Sequence, residues 1–321
     1  METRAFTEPA FVQLYRADDA AIRATLARGL RAARPAVAPK FLYDALGSRL
    51  FDAITELREY YPTRTEAAIF RRHGAEMAAL CGRGRPLVDL GAGSCAKAAR
   101  LFPVLGPSQY VAVDISVDFL RQSLGALQRE HRAIPMLAVG MDFSAALDLP
   151  AAVQPGPRTL FYPGSSIGNF APEDALPFLQ QVRSACQGGC LLVGVDLVKD
   201  RALLEAAYDD ALGVTAAFNL NLLRHVNALL GADFDERQWA HVALFDAARS
   251  RIEMHLQARG DQRVRWPGGE RAFAAGERIH TENSYKYRRP AFESLLRDAG
   301  FRAPHCWTDD RGWFAVFAAQ A

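Results

Sequence analysis

Apolar positions in this chain follow two different rhythms. Leu87–Leu90, Tyr110–Val113, Ile134–Val139 and Cys190–Val195 are short, nearly continuous apolar runs, the pattern of strands buried on both faces of a parallel sheet, and Arg158–Tyr162 reads as one more. Helical spacing occupies Asp18–Arg34, with Asp18 or Asp19 as N-cap and Ile22, Leu26 and Leu30 on one face, and returns over Ala96–Leu105. After Asp196 the next strand of a wound sheet is missing. A long, mostly helical tract, Lys199–Gly231, takes its place, and Arg237–Glu282 then switches to strand patterning. Ser250–Arg259 alternates polar and apolar, with Ile252, Met254 and Leu256 on one face, Pro267-Gly-Gly269 is its turn signal and Glu277–Glu282 the returning strand. A helix over Pro290–Ala299, stopped by Gly300, and strands His305–Thr308 and Trp313–Ala318 close the pattern. The prediction is an α/β fold interrupted by an α+β insertion, with no internal repeat, low-complexity tract or heptad run.

Composition narrows the function classes. The 321 residues are 50% hydrophobic and 23% charged, as in a globular protein of one large or two ordinary domains. A net charge of +2 and the lack of any Lys/Arg run give no electrostatic case for nucleic acid. Five scattered cysteines without a Cys-x-x-Cys pair indicate neither a disulfide framework nor a zinc knuckle, and they fit a reducing cytoplasm. The first twenty residues carry Glu2, Arg4, Glu8, Arg16, Asp18 and Asp19 and no signal-peptide core, and no apolar stretch is long enough to cross a bilayer. A cytoplasmic protein is expected.

The candidate chemistry centres on Arg85–Lys97, Arg-Pro-Leu-Val-Asp-Leu-Gly-Ala-Gly-Ser-Cys-Ala-Lys. A buried strand here stops at a Gly-x-Gly turn, where Gly91 and Gly93 let the backbone bend sharply and a ligand lie against it. The third glycine of the dinucleotide fingerprint is absent near Cys95 and Ala96, and Asp89 would repel a diphosphate while accepting a hydrogen bond from an ammonium. Asp114 ends the next strand roughly 20 residues on, the offset at which such folds hold a ribose hydroxyl. Asp142-Phe143 follows the third strand, an acid and an aromatic that could take an adenine by edge and face. Together these features resemble the S-adenosylmethionine (SAM)-dependent methyltransferases. That likeness implies Asp89, Gly91 and Gly93 at the methionine end of SAM, Asp114 at the ribose and Asp142 at the adenine.

Four further motifs have no ready explanation as packing: Tyr60-Tyr-Pro-Thr-Arg-Thr-Glu66, Gly164-Ser-Ser-Ile-Gly-Asn-Phe170, Ala207-Tyr208-Asp-Asp210 and Thr281-Glu-Asn-Ser-Tyr-Lys-Tyr287. In that order, over a chain matched from about Pro39 to the C-terminus, they resemble the histidine Nα-methyltransferases of ergothioneine biosynthesis. The resemblance implies a class I Rossmann-like methyltransferase core, residues 61–197 and 286–321, and an amino-acid-binding α+β domain formed by residues 1–60 and 198–285. It implies that Asn169 and Tyr208 hold the substrate carboxylate, that Gly164 lies near the α-amine, and that Glu282 and Ser284 grip the imidazole in a pocket shaped by Tyr43, Phe51, Tyr60 and Met254. Tyr43, Gly164, Asn169 and Tyr208 would be the residues at the reacting amine. On the cofactor side Gly91, Lys97, Asp114, Asp142 and Phe143 match. The implied product is the trimethyl betaine hercynine, made by a monomer that needs SAM, no metal, no nucleic acid and no membrane.

The residue types suit the chemistry independently. Methyl transfer from a sulfonium is an in-line displacement that needs an amine held, desolvated, behind the methyl, and tyrosines and amides can orient its lone pair. A tyrosine wall also tolerates the cation that grows with methylation. Aromatics at helical spacing, such as those between Phe41 and Tyr61, equally well fill a core. His280-Thr-Glu282 has the His-x-Glu form of zinc deaminases, but no Pro-Cys-x-x-Cys follows. A non-catalytic binding module would not need both the cofactor acids and the substrate set. The closer rival is a relative acting on another aromatic amino acid such as tryptophan, against which an acid at position 282 favours a ring that donates a hydrogen bond.

Overall fold

The computed structural model describes residues 5–14 and 18–321, so the reading of the first twenty residues as lacking a signal-peptide core falls partly outside the described residues. Its strands, in chain order, are β1 (Ala10–Gln13), β2 (Leu87–Leu90), β3 (Tyr110–Asp114), β4 (Met136–Gly140), β5 (Thr159–Tyr162), β6 (Cys190–Asp196), β7 (Trp239–Asp246), β8 (Arg251–Ala258), β9 (Gln262–Trp266), β10 (Gly269–Phe273), β11 (Arg278–Tyr285), β12 (Arg302–Thr308) and β13 (Phe314–Gln320). Two compact units divide the chain, one drawn from Met1–Tyr15, Pro62–Val198 and Tyr285–Ala321, the other from Arg16–Tyr61 and Lys199–Ser284.

The first unit is built on an eight-stranded sheet ordered β1-β4-β3-β2-β5-β6-β13-β12. The strands from β1 to β6 are parallel, and β13 runs antiparallel to both β6 and β12. Every residue of β2, β4, β5 and β6 is buried, which is why these strands read as continuous apolar runs. Helices cover both faces. Pro172–Ala185 and Arg289–Asp298 bring Phe178, Leu179, Phe292 and Leu296 onto the face of Val88, Leu90, Val111 and Val113. Tyr61–Cys81 and Val117–Glu130 bring Ile69, Phe70, Met77, Leu120 and Leu124 onto the face of Leu87, Tyr110 and Ala112. The order reverses at β2, whose chain goes out through β3 and β4 and returns through β5 and β6, so β2 is the topological switch point of a Rossmann-like doubly wound sheet.

The structure departs from the sequence expectation in three places. The early strand β1 pairs with β4 in the first unit, whereas the resemblance implies that residues 1–60 belong to the other domain. Ala96–Leu105 is two short helices, Ala96–Ala99 and Phe102–Leu105, because Pro103 has no N–H to give and its ring crowds the carbonyl four residues earlier. Pro267-Gly-Gly269 turns the separate β9–β10 hairpin and does not end the strand at Arg259.

In the second unit the helices Asp19–Arg31, Ala45–Glu56 and Val214–Leu230 accompany a three-stranded sheet ordered β11-β8-β7. Asp18 caps the first helix by accepting from the N–H groups of Ala20 and Ala21. β8 alternates as read, with Ile252, Met254 and Leu256 buried. No helix among the described residues is long and apolar enough to cross a membrane.

Candidate functional site

The carboxyl ends of β2, β3 and β4 gather the cofactor candidates. Gly91 (φ +71°) and Gly93 (φ +50°) take the left-handed turn after β2; a Cβ on Gly91 would stand 3.7 Å from Phe143 Cζ, and one on Gly93 would meet nothing within 4 Å. Cys95, where a third glycine was missing, is itself left-handed (φ 62°) and buried. Asp114 ties the turn down. Its carboxylate accepts the N–H of Gly93 at 3.0 Å and that of Ser116 at 2.9 Å. Burial raises its pKa above the ordinary aspartate value while these backbone hydrogen bonds oppose the rise. Asp142 accepts the hydroxyl of Ser144 at 2.5 Å, and Phe143 stands edge-on to Tyr162.

Asp89 lies deeper. It accepts the hydroxyl of Tyr110 at 2.8 Å through one oxygen, while its other, equally buried oxygen has no hydrogen-bond partner among the described protein groups. Burial lifts its pKa to about 7 against the lowering influence of the Tyr110 hydrogen bond and the Lys97 charge.

Lys97 leads to a residue that sequence reasoning left without a role. Glu66, 1% exposed, accepts the backbone N–H of Gly164 at 2.8 Å, and its second oxygen is ion-paired with the Lys97 ammonium at 3.0 Å. The motif Tyr60–Glu66 contains this acid, but its partners lie at distant positions and no spacing rule connects them. Gly164 begins the loop after β5, which continues through Ser165, left-handed at φ 61°, to Asn169 at the end of a short 3-10 turn. The Ser165 hydroxyl accepts the N–H of Asp196, and a Cβ at Gly168 would come within 2.7 Å of the Tyr285 carbonyl. The loop carrying Gly164 and Asn169 is thus pinned at several points within the first unit.

The remaining substrate candidates lie in the second unit. Tyr43, Phe51, Tyr60 and Tyr208 form a chain of ring contacts with centroids 5.6 to 6.2 Å apart. Phe218 joins it 5.5 Å from Tyr43, a residue that its helical spacing did not distinguish from ordinary core. Met254 is buried on β8, and its carbonyl accepts the Thr281 hydroxyl from β11. Glu282 and Ser284 are both buried on β11 and, standing two residues apart, point to one side of the strand. The Ser284 hydroxyl lies 2.7 Å from that of Tyr208. His280 faces Asn283 at 2.8 Å, and among the described residues no group of three or more His, Cys, Asp or Glu is placed to hold a metal.

Comparison with known proteins adds an independent finding. The family model described as "Histidine-specific methyltransferase, SAM-dependent" matches residues 22–321. A protein named histidine N-alpha-methyltransferase from Mycolicibacterium smegmatis is 43% identical over 306 residues, 93% of this chain and 94% of the relative. A protein of the same name from Mycobacterium tuberculosis is 41% identical over 307 residues with the same coverage. Ergothioneine biosynthesis protein 1 of Neurospora crassa is 31% identical over 277 residues, 83% of this chain and 31% of that longer protein.

Proposed function

We propose, since the chain belongs to the family of SAM-dependent histidine-specific methyltransferases, that it methylates the α-amine of L-histidine, three times, to give the betaine hercynine in a step of ergothioneine biosynthesis. The observation that carries this reading is the family match, which spans both units and every candidate residue from Tyr43 to Ser284.

The first unit fits SAM. The turn at Gly91 and Gly93 leaves space where side chains would intrude, Asp114 at the end of β3 keeps lone pairs for ribose hydroxyls beyond the two N–H groups it accepts, and the unpartnered Asp89 oxygen suits the methionine ammonium. Lys97 would meet the methionine carboxylate, and Asp142 and Phe143 the adenine. Bound there, SAM supplies an electrophilic sulfonium methyl. The chain's own task is to present an unprotonated amine in line with it, which is a matter of position and desolvation. Gly164 and Asn169 on the pinned loop bind the amine and carboxylate end of histidine. Tyr208 shares this work, and Glu282 and Ser284 take the imidazole N–H and ring nitrogen. Tyr43, Phe51, Tyr60 and Met254 shape the pocket, and the tyrosine rings stabilise the ammonium as methyls accumulate. The enzyme is read as a monomer acting in the cytoplasm on this small molecule alone, in keeping with five free cysteines and a net charge of +2.

A panel of free amino acids incubated with SAM and read by mass spectrometry tests the reading. Histidine should gain one, two and then three methyl groups. Faster methylation of tryptophan than of histidine would overturn the substrate, and no transfer to any amino acid would leave a binding protein.

A further inference from the structure

We propose that Glu66 is a positioning residue that couples the cofactor side of the site to the substrate side, holding the Lys97 ammonium with one carboxylate oxygen and the Gly164 backbone with the other. The proposal rests on the roles assigned above to Lys97 and Gly164, and it assigns Glu66 work that those roles alone do not require.

Elements far apart in sequence converge on this carboxylate. Glu66 comes from the helix Tyr61–Cys81, Lys97 from the short helix after the glycine turn, Gly164 from the loop after β5, and Gly194 from the middle of β6. Two glycines border the ion pair. A Cβ on Gly194 would stand 2.1 Å from the Glu66 oxygen, and a Cβ on Gly164, left-handed at φ +76°, would stand 2.6 Å from the Lys97 nitrogen. An ion pair with its carboxylate buried is a poor source of stability, because desolvating that charge offsets much of the attraction. The acid, with Gly194 leaving room for its oxygen, is better explained by what it holds.

What it holds differs on its two sides. Lys97 has 28% of its side chain exposed, and an ammonium has three donors, so pairing with Glu66 orients the group without exhausting it. Gly164 opens the loop that ends at Asn169, and its N–H is fixed by the same carboxylate at 2.8 Å. Displacing Glu66 would therefore release a cofactor ligand and the start of the substrate loop together.

The test is a double-variant cycle read by calorimetric titration of S-adenosylhomocysteine, with histidine KM measured alongside. Glu66→Gln keeps the shape and an oxygen for Gly164 but loses the charge, and it should weaken adenosylhomocysteine binding by about fivefold or more. Because it acts through Lys97, Glu66→Gln combined with Lys97→Met should bind no more weakly than Lys97→Met alone. Glu66→Ala, which also frees Gly164, should raise the histidine KM above that of Glu66→Gln. Glu66→Asp, keeping charge but not reach, should recover part of the cofactor affinity. A Glu66→Gln protein with wild-type affinity and histidine KM, whatever its melting temperature, would overturn the proposal and leave a structural ion pair. So would independent, additive losses in the cycle. If Lys97→Met itself binds as wild type, the assignment of Lys97 fails, and the histidine KM of Glu66→Ala alone decides whether the hold on Gly164 stands.

Discussion

The hydroxyl groups of Tyr208 and Ser284 lie 2.7 Å apart, although the family resemblance assigns one to the substrate carboxylate and the other to the imidazole. A ligand group that meets one of them is linked to the other through their mutual hydrogen bond. Each of Tyr208→Phe and Ser284→Ala should therefore raise the histidine KM by about fivefold to tenfold while sparing cofactor affinity. The double variant should lose less than the product of the two, because one shared interaction is removed twice. Steady-state kinetics at saturating SAM would show this, and strictly multiplicative losses would mean that the two hydroxyls serve separate ends of the substrate.

Choice of ring falls to Glu282, buried on β11 on the same side as Ser284. A site built to hydrogen-bond a ring discriminates against analogues that leave its buried polar groups unpaired. Histidine should be strongly preferred over phenylalanine and leucine in competition, and Glu282→Ala should lower kcat/KM for histidine by roughly tenfold, about 1.4 kcal/mol. Near wild-type efficiency in that variant would remove Glu282 from the imidazole.

The parts of this fold legible in the sequence are those where local pattern and tertiary role coincide. β2 to β6 are buried along most of their length, so their composition alone announces them. β1 could not be read, because its four residues are exposed or half-buried and only backbone pairing to β4 makes them a strand. The acids at the ends of β3 and β4 were visible because the chemistry of a wound sheet collects at strand ends. Glu66 was not, since its meaning lies in Lys97, Gly164 and Gly194, which only the folded chain brings to it. Phe218 and the meeting of Tyr208 with Ser284 stayed hidden for the same reason.

Asp114 offers a test of the cofactor assignment that separates two jobs. It pins the glycine turn through the Gly93 N–H, and in the proposed reading it also holds the ribose. Asp114→Ala should weaken SAM binding by a few kcal/mol, the loss expected for charge-assisted hydrogen bonds together with a loosened turn. Asp114→Asn, which retains one oxygen for Gly93, should lose less. Calorimetry distinguishes these, and unchanged affinity in both would mean that the turn does not hold a ribose.

Asp89 sets fold stability against cofactor binding, and pH separates the two. Its pKa in the folded chain is raised to about 7, chiefly by burial, whereas in the unfolded chain it titrates near the ordinary aspartate value of 3.8. A raised folded pKa means that the fold prefers the protonated acid: the favourable contribution is complete below pH 4 and is lost as pH rises towards 7, when the buried group must carry charge. The full cost at pH 8 is at most about 4 kcal/mol, the free-energy equivalent of that displacement. Asp89→Asn removes the charge but keeps an oxygen for the Tyr110 hydroxyl. Its melting temperature without ligand should exceed that of the wild type at pH 8, and the gap should shrink as the pH falls towards 4. Affinity for SAM at pH 8 should fall in the same variant, because the amide cannot offer a carboxylate to the methionine ammonium. Thermal unfolding across that pH range, with and without adenosylhomocysteine, measures both, and a pH-independent gap would show that Asp89 is already ionised at no cost in the free protein.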